Sequence, residues 1–119
     1  MTKQTPDLGN PARLLAALSH LAQTVDSRAG ADPEASYTAR LISEGPAQCA
    51  KKLGEEAVET ILAIAAESGA RIAAEAADLL YHLFVALRSR EVSLDMIASA
   101  LEGRQGASGL AEKAGRVPS

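Results

Sequence analysis

Two stretches decide the fold: Lys51-Lys52-Leu53-Gly54-Glu55-Glu56-Ala57-Val58-Glu59-Thr60 and Glu75-Ala76-Ala77-Asp78-Leu79-Leu80-Tyr81-His82-Leu83. They carry the same device twice. Glu56 and Glu59 stand three apart and, after fifteen intervening residues, so do Glu75 and Asp78. Residues three apart share one face of a helix. If the two helices pack antiparallel, four carboxylates converge on one spot, and like charges at that density repel unless a divalent cation sits among them. Hard oxygen ligands suit Mg²⁺, and such a centre points to metal-assisted attack on phosphate. A lone pair of this kind is commonplace on a solvated helix, so the spacing by itself leaves a metal site and a solvated acidic face both open.

At about 100° per residue, Lys52, Glu56, Glu59 and Ala63 form one stripe of the first helix, with Val58, Ile61, Leu62 and Ala65 opposite. On the second helix Arg71, Glu75, Asp78, His82 and Ala86 form a stripe, with Ala73, Leu80, Phe84 and Leu87 opposite. Small neighbours let the backbones approach; the large apolar residues bury each helix against other partners. One detail resists this picture. Counted from Gly69, the midpoint of the first pair lies about eleven residues back and that of the second about eight on, which at ~1.5 Å per residue is a mismatch of roughly one turn.

Working outward, the spacing predicts the first of these helices over 46–67, ended by Ser68-Gly69 with Gly69 suited to the position after the last turn, and the second over 70–90. Upstream, Asn10-Pro11 reads as an N-cap followed by proline at the first helical position. Leu14, Leu15, Leu18, Leu21 and Val25 then recur at helical spacing over 11–28. Ala29-Gly30-Ala31-Asp32-Pro33 breaks that helix, a short one is expected over Ser36–Ser43, and Glu44-Gly45-Pro46 breaks the chain again. Ser93 is placed to cap a last helix over 94–103. No segment alternates like a strand. The expectation is an all-α bundle of four to five helices in a single domain spanning 1–119, with a loose leader over 1–9 and a partly irregular tail over 104–119.

Composition narrows the classes. Of 119 residues 47% are hydrophobic but only 3% aromatic, so the core must be built from Ala, Leu, Ile and Val. A core of small side chains in so short a chain buries little area, and a dimer is expected. The net charge is −3 with scattered basic residues, which argues against nucleic acid as a partner. Cys49 is the lone cysteine, which rules out an intrachain disulfide and reads as a small core residue. No apolar run reaches the roughly 20 residues of a membrane span, and no signal peptide opens the chain. A cytoplasmic enzyme is the simple expectation.

The two quoted stretches resemble the phosphoribosyl-ATP pyrophosphatases of histidine biosynthesis, within the all-α, MazG-like NTP pyrophosphohydrolases whose shared signature is E-x-x-E…E-x-x-D. Asp32-Pro33 through Ser36-Tyr37-Thr38-Ala39-Arg40-Leu41, and Ser108-Gly109-Leu110-Ala111-Glu112-Lys113-Ala114-Gly115-Arg116, look like this branch in particular. The likeness covers about 14–116. It implies a homodimeric MazG-like bundle that hydrolyses phosphoribosyl-ATP to phosphoribosyl-AMP and pyrophosphate with Mg²⁺, the next step falling to a separate cyclohydrolase. A housekeeping (d)NTP pyrophosphohydrolase with the same metal core is the alternative. A non-enzymatic helical dimer with solvated acidic faces is the third reading.

By the resemblance, Glu56, Glu59, Glu75 and Asp78 match the metal ligands position for position. Glu55 and Glu56 are the catalytic candidates; Glu55 points about 100° from Glu56 and can orient water or simply be solvated. Lys51 and Lys52 are candidates for phosphate contact beside the plainer reading of surface lysines. His82, one turn beyond Asp78, orients a ligand carboxylate, meets substrate or is structural. Tyr37, Arg40, Lys113 and Arg116 lie in the branch-like stretches and suit the phosphoribosyl group, Arg by its fork geometry, or else serve packing.

Overall fold

In a computed structural model, which describes residues 7 and 9–105, the chain forms five helices: α1 (Pro11–Ala29), α2 (Tyr37–Ser43), α3 (Pro46–Ala66), α4 (Gly69–Ser89) and α5 (Leu94–Glu102). Among the described residues there is no strand, and no helix is long and apolar enough to cross a membrane. The all-α expectation holds.

Helix starts follow their side chains. Asn10 accepts from the Ala12 amide with Pro11 at the first helical position, and Ser36, Ser68 and Ser93 accept from Ala39, Arg71 and Met96 in the same way. Each cap satisfies an amide that the helix leaves unpaired. Gly45, which precedes α3, has φ +98°, a left-handed conformation that glycine tolerates. α4 ends in a Schellman turn: the amides of Glu91 and Val92 reach the carbonyls of Arg88 and Leu87, with Glu91 itself at φ 56°.

Gly69 behaves differently from its sequence reading. It does not terminate α3. Ser68 has extended backbone and caps α4, and Gly69 is the first residue of that helix. The Ser hydroxyl satisfies an amide of the new helix, whereas Gly69 has nothing to do in a left-handed turn that the chain does not make. The joint therefore lies between Glu67 and Ser68, about ten residues after the midpoint of the first acidic pair and nine before that of the second. At ~1.5 Å per residue the one-turn mismatch disappears.

The hairpin of α3 and α4 is the frame of the molecule, with α2 packed on both and α1 packed across α2 and α4. The core lies at the open end of the hairpin, where Val25 of α1, Leu41 of α2, Cys49 of α3 and Val85 of α4 meet, with Leu21, Ile42, Tyr81, Phe84 and Ala86 around them. Cys49 is buried, its Sγ donating to the Leu41 carbonyl at 3.2 Å. Only the C-terminal half of α1 joins this core; Leu14 and Leu15 are exposed. Away from α4, Val58, Ile61, Leu62 and Ile64 in the turn half of α3 are exposed among the described residues. α5 is not packed along any other helix among the described residues, but its first residue, Leu94, lines a cavity with Ala22 and Val25 of α1 and Phe84 and Leu87 of α4.

Candidate metal centre

The hairpin brings the acidic pairs to its middle. One carboxylate oxygen each from Glu56, Glu75 and Asp78 lies within 4.8 Å of the other two. Antiparallel packing puts them there: Glu56 comes down α3 as Glu75 and Asp78 come up α4, and Ala63, fully buried on the α3 stripe, lets the backbones close.

Glu75 is the deepest member, 7% exposed. Its Oε1 accepts a 2.6 Å bond from Nη2 of Arg71, one turn before it, while Arg71 also reaches Glu67. Its Oε2 is buried without a partner, and so is Oε2 of Glu56. Two orphaned carboxylate oxygens in one cluster are costly, because a buried acceptor that has given up water and gained nothing loses its full solvation. Burial, followed by the adjacent Glu59 carboxyl, pushes the Glu75 carboxyl above its ordinary range; the Arg71 charge only partly opposes this. Glu59 is exposed and stands outside the close trio, yet it is near enough to Glu75 to act on its proton. The donor set is all oxygen, which fits a hard divalent cation.

His82 is buried, with Nε2 3.9 Å from Oε1 of Glu56. Burial holds its pKa below the ordinary value against the pull of Asp78, and Lys52 lowers it further. A neutral imidazole therefore sits beside a ligand candidate. Its ring meets the edges of Tyr81 at 5.0 Å and Tyr37 at 6.3 Å between centroids. Tyr37 stacks on Tyr81 at 6.5 Å, and the Arg40 guanidinium lies 5.5 Å over the Tyr37 ring. Tyr37 and Arg40, exposed on α2, thus border the metal centre through His82.

The remaining candidates divide. Lys52 pairs with Glu55 at 3.5 Å rather than with Glu56, and both are substantially exposed; Lys51 is exposed. Lys113 and Arg116 lie outside the described residues. Sequence reasoning gave no role to Thr38, Tyr81 or Thr60. Thr38 and Tyr81 share a 2.6 Å hydroxyl–hydroxyl bond that ties α2 to α4, and Thr60 lies between the acidic turns. For Thr60 there was a signal: it stands four residues after Glu56, on the same stripe.

These features have counterparts among known proteins. Residues 18–105 match the family model described as phosphoribosyl-ATP pyrophosphohydrolase. A protein of Rhodobacter capsulatus named phosphoribosyl-ATP pyrophosphatase is 55% identical over 102 residues, covering 86% of this chain and 99% of that protein. Namesakes from Cereibacter sphaeroides (54% over 99 residues; 83% of this chain, 96% of that protein) and Caulobacter vibrioides (53% over 105 residues; 88% and 97%) are similar to it as well. The match takes in all of α2 to α5 and the three converging carboxylates, and on that evidence the chain belongs to the phosphoribosyl-ATP pyrophosphohydrolase family.

Proposed function

We propose that this chain is an Mg²⁺-dependent hydrolase that splits phosphoribosyl-ATP between its α- and β-phosphates, releasing phosphoribosyl-AMP and pyrophosphate in the second step of histidine biosynthesis. The observation that carries this reading is the convergence of Glu56, Glu75 and Asp78, two of them with an unpartnered buried oxygen, in a chain of this family. These three, with Glu59 at the edge, would hold the metal. When bound, Mg²⁺ supplies Lewis acidity toward phosphoryl oxygens and offsets the charge of the leaving pyrophosphate.

The chain's own groups do the rest. Arg71 balances part of the Glu75 charge and holds that carboxylate in place through its 2.6 Å bond. His82, kept neutral by burial, limits how far the Glu56 carboxylate can swing. Glu55, exposed and paired with Lys52, is free to reach water at the mouth of the site and remains the candidate for orienting it, with Glu56 as the other catalytic candidate. Lys51 and Lys52 offer charge to the phosphates. Tyr37 and Arg40 present a flat, cationic surface to the phosphoribosyl end, with Lys113 and Arg116 assigned to the same end.

The reading extends to one domain spanning 1–119, a homodimer, a cytoplasmic location and a separate cyclohydrolase that takes the product. The homodimer is supported by the apolar residues left bare on α3 and by Leu94, Met96 and Leu101 of α5, a combination unusual for a chain that stays alone. Pyrophosphate release from phosphoribosyl-ATP and from a panel of NTPs and dNTPs, with and without Mg²⁺, tests the reading. Phosphoribosyl-ATP is expected to be the preferred substrate and Mg²⁺ to be required. Preferential turnover of a dNTP would instead establish a housekeeping nucleotide hydrolase on the same metal core.

A further inference from the structure

Thr60 sits between the two carboxylate-bearing turns, 6% exposed, and its hydroxyl touches both. Oγ1 lies 2.8 Å from the carbonyl oxygen of Glu56 and 3.2 Å from that of Glu75. The first contact is the bond any helical threonine makes to the preceding turn. The second is not, because it crosses from α3 to α4. A hydroxyl has one proton, so it is shared between the two carbonyls. Both carbonyls belong to residues whose carboxylates enter the trio. Among the described residues it is the one bond from a side chain to backbone that joins α3 to α4, beside the side-chain contact between the Glu59 and Glu75 carboxyls.

We propose that Thr60 is a positioning residue whose shared hydroxyl sets the register of the two ligand-bearing turns, so that Glu56 and Glu75 present their oxygens to a single cation. Thr60 and Glu75 are symmetric about the joint between Glu67 and Ser68, so they meet at one level of the hairpin. Ala63, fully buried on α3, is too small to interlock against sliding along the axis, and the core cluster that includes Cys49 and Val85 lies at the open end. A slip of one residue moves a carboxylate by about 1.5 Å along the axis and about 100° around it, enough to take it out of a shared coordination sphere. The Thr60 bond opposes that slip at the point where it matters. The hydroxyl bonds to the backbone carbonyls of two ligand residues, so it acts through them and not on the substrate.

This inference rests on the metal reading above, and the test separates the two. Mn²⁺, used as a spectroscopic stand-in for Mg²⁺, is titrated onto the full chain and free Mn²⁺ is followed by electron paramagnetic resonance. The unsubstituted protein is compared with Thr60→Val, which keeps the shape and removes the hydroxyl, and Thr60→Ser, which keeps the hydroxyl. Thr60→Val is expected to weaken Mn²⁺ binding by roughly tenfold, the low end of the loss seen when groups supporting metal ligands are removed. Thr60→Ser is expected to bind like the unsubstituted protein. Unchanged binding by Thr60→Val, or equal losses in Val and Ser, would overturn the positioning role while leaving the metal reading intact. No binding by the unsubstituted protein would overturn both. Circular dichroism checks folding without metal. Should Thr60→Val not fold, Thr60→Ala takes its place in the same comparison; should neither fold, the hydroxyl serves the fold itself and the positioning role is withdrawn.

Discussion

The inner and outer sides of α3 can be set against each other. Toward α4 the helix presents Glu56, Thr60 and Ala63, facing a Glu75 that is 7% exposed; away from α4 it presents Val58, Ile61 and Leu62, with Ile61 64% exposed. Charge is inside and apolar surface is outside. Either side alone is unfavourable, since a buried carboxylate loses hydration and bare Ile, Leu and Val forgo about 1.5–3 kcal/mol each on the scale of full burial. The difference teaches that the two sides of one helix call for partners of opposite chemistry. On the inner side Arg71 offsets only part of the acidic charge, and among the described residues the outer side has no apolar partner. A cation at the trio and a second copy over the bare face are the partners proposed for the two sides, and each can be removed independently.

The largest effect is expected on the inner side. Glu75→Gln keeps the shape and removes the charge. Pyrophosphate release should fall by at least the roughly 100-fold that disturbing a metal's supporting groups costs. The same variant should melt no lower than the unsubstituted chain when metal is absent, because the environment of Glu75 already disfavours its charged form. Retained activity would break the comparison, leaving an acidic seam with no cation.

On the outer side, Ile61→Glu should dissociate the proposed dimer without unfolding the subunit, since Ile61 stands outside the buried core of the described residues. Two copies per interface at ~1.5 kcal/mol or more each amount to roughly a hundredfold weaker association. Light scattering during gel filtration across a dilution series reads it directly. A dimer that survives would move the interface to α5, where Met96 and Leu101 are also bare.

The smallest effect sharpens the inner side. Glu75 has a raised carboxyl, so its contribution to the stability of the metal-free chain is complete below the ordinary carboxylate pKa and is lost as pH rises through the elevated value. Metal needs the ionised form. The rise in melting temperature produced by Mg²⁺ should therefore grow with pH through that window and shrink as pH falls. Melting curves with and without Mg²⁺ from mildly acidic to neutral pH would show it. A pH-independent increment would mean that Glu75 is not a ligand.

Much of this was legible without coordinates. The helix starts at Asn10-Pro11 and Ser93, the breaks around Gly30 and Gly45, and the core role of Cys49 follow from local chemistry. The acidic stripes were legible because helical periodicity is a property of one segment. What escaped was between segments. Glycine commonly ends helices, so Gly69 reads as a stop, but the Ser68 hydroxyl competes for the same joint as an N-cap and wins, moving the centre of the hairpin and with it the register of the acidic pairs. Helical spacing puts Val58, Ile61 and Leu62 opposite the acidic stripe, yet nothing in that spacing says that, among the described residues, α1 and α2 leave them exposed.

The sequence by itself determined the helices, their caps, the two acidic faces and the family likeness, all of which depend on side-chain type and on repeats within a few residues. Only the tertiary structure decided that Glu56, Glu75 and Asp78 form the close trio while Glu59 stays at its edge, that His82 lies buried against Glu56, and that Thr60 bridges the two turns. Those outcomes turn on how α4 is rotated and shifted against α3. A shift of ~1.5 Å or one residue's rotation changes which oxygens meet, and that is fixed by the cap at the joint and the packing of the small residues between the helices, not by either helix alone.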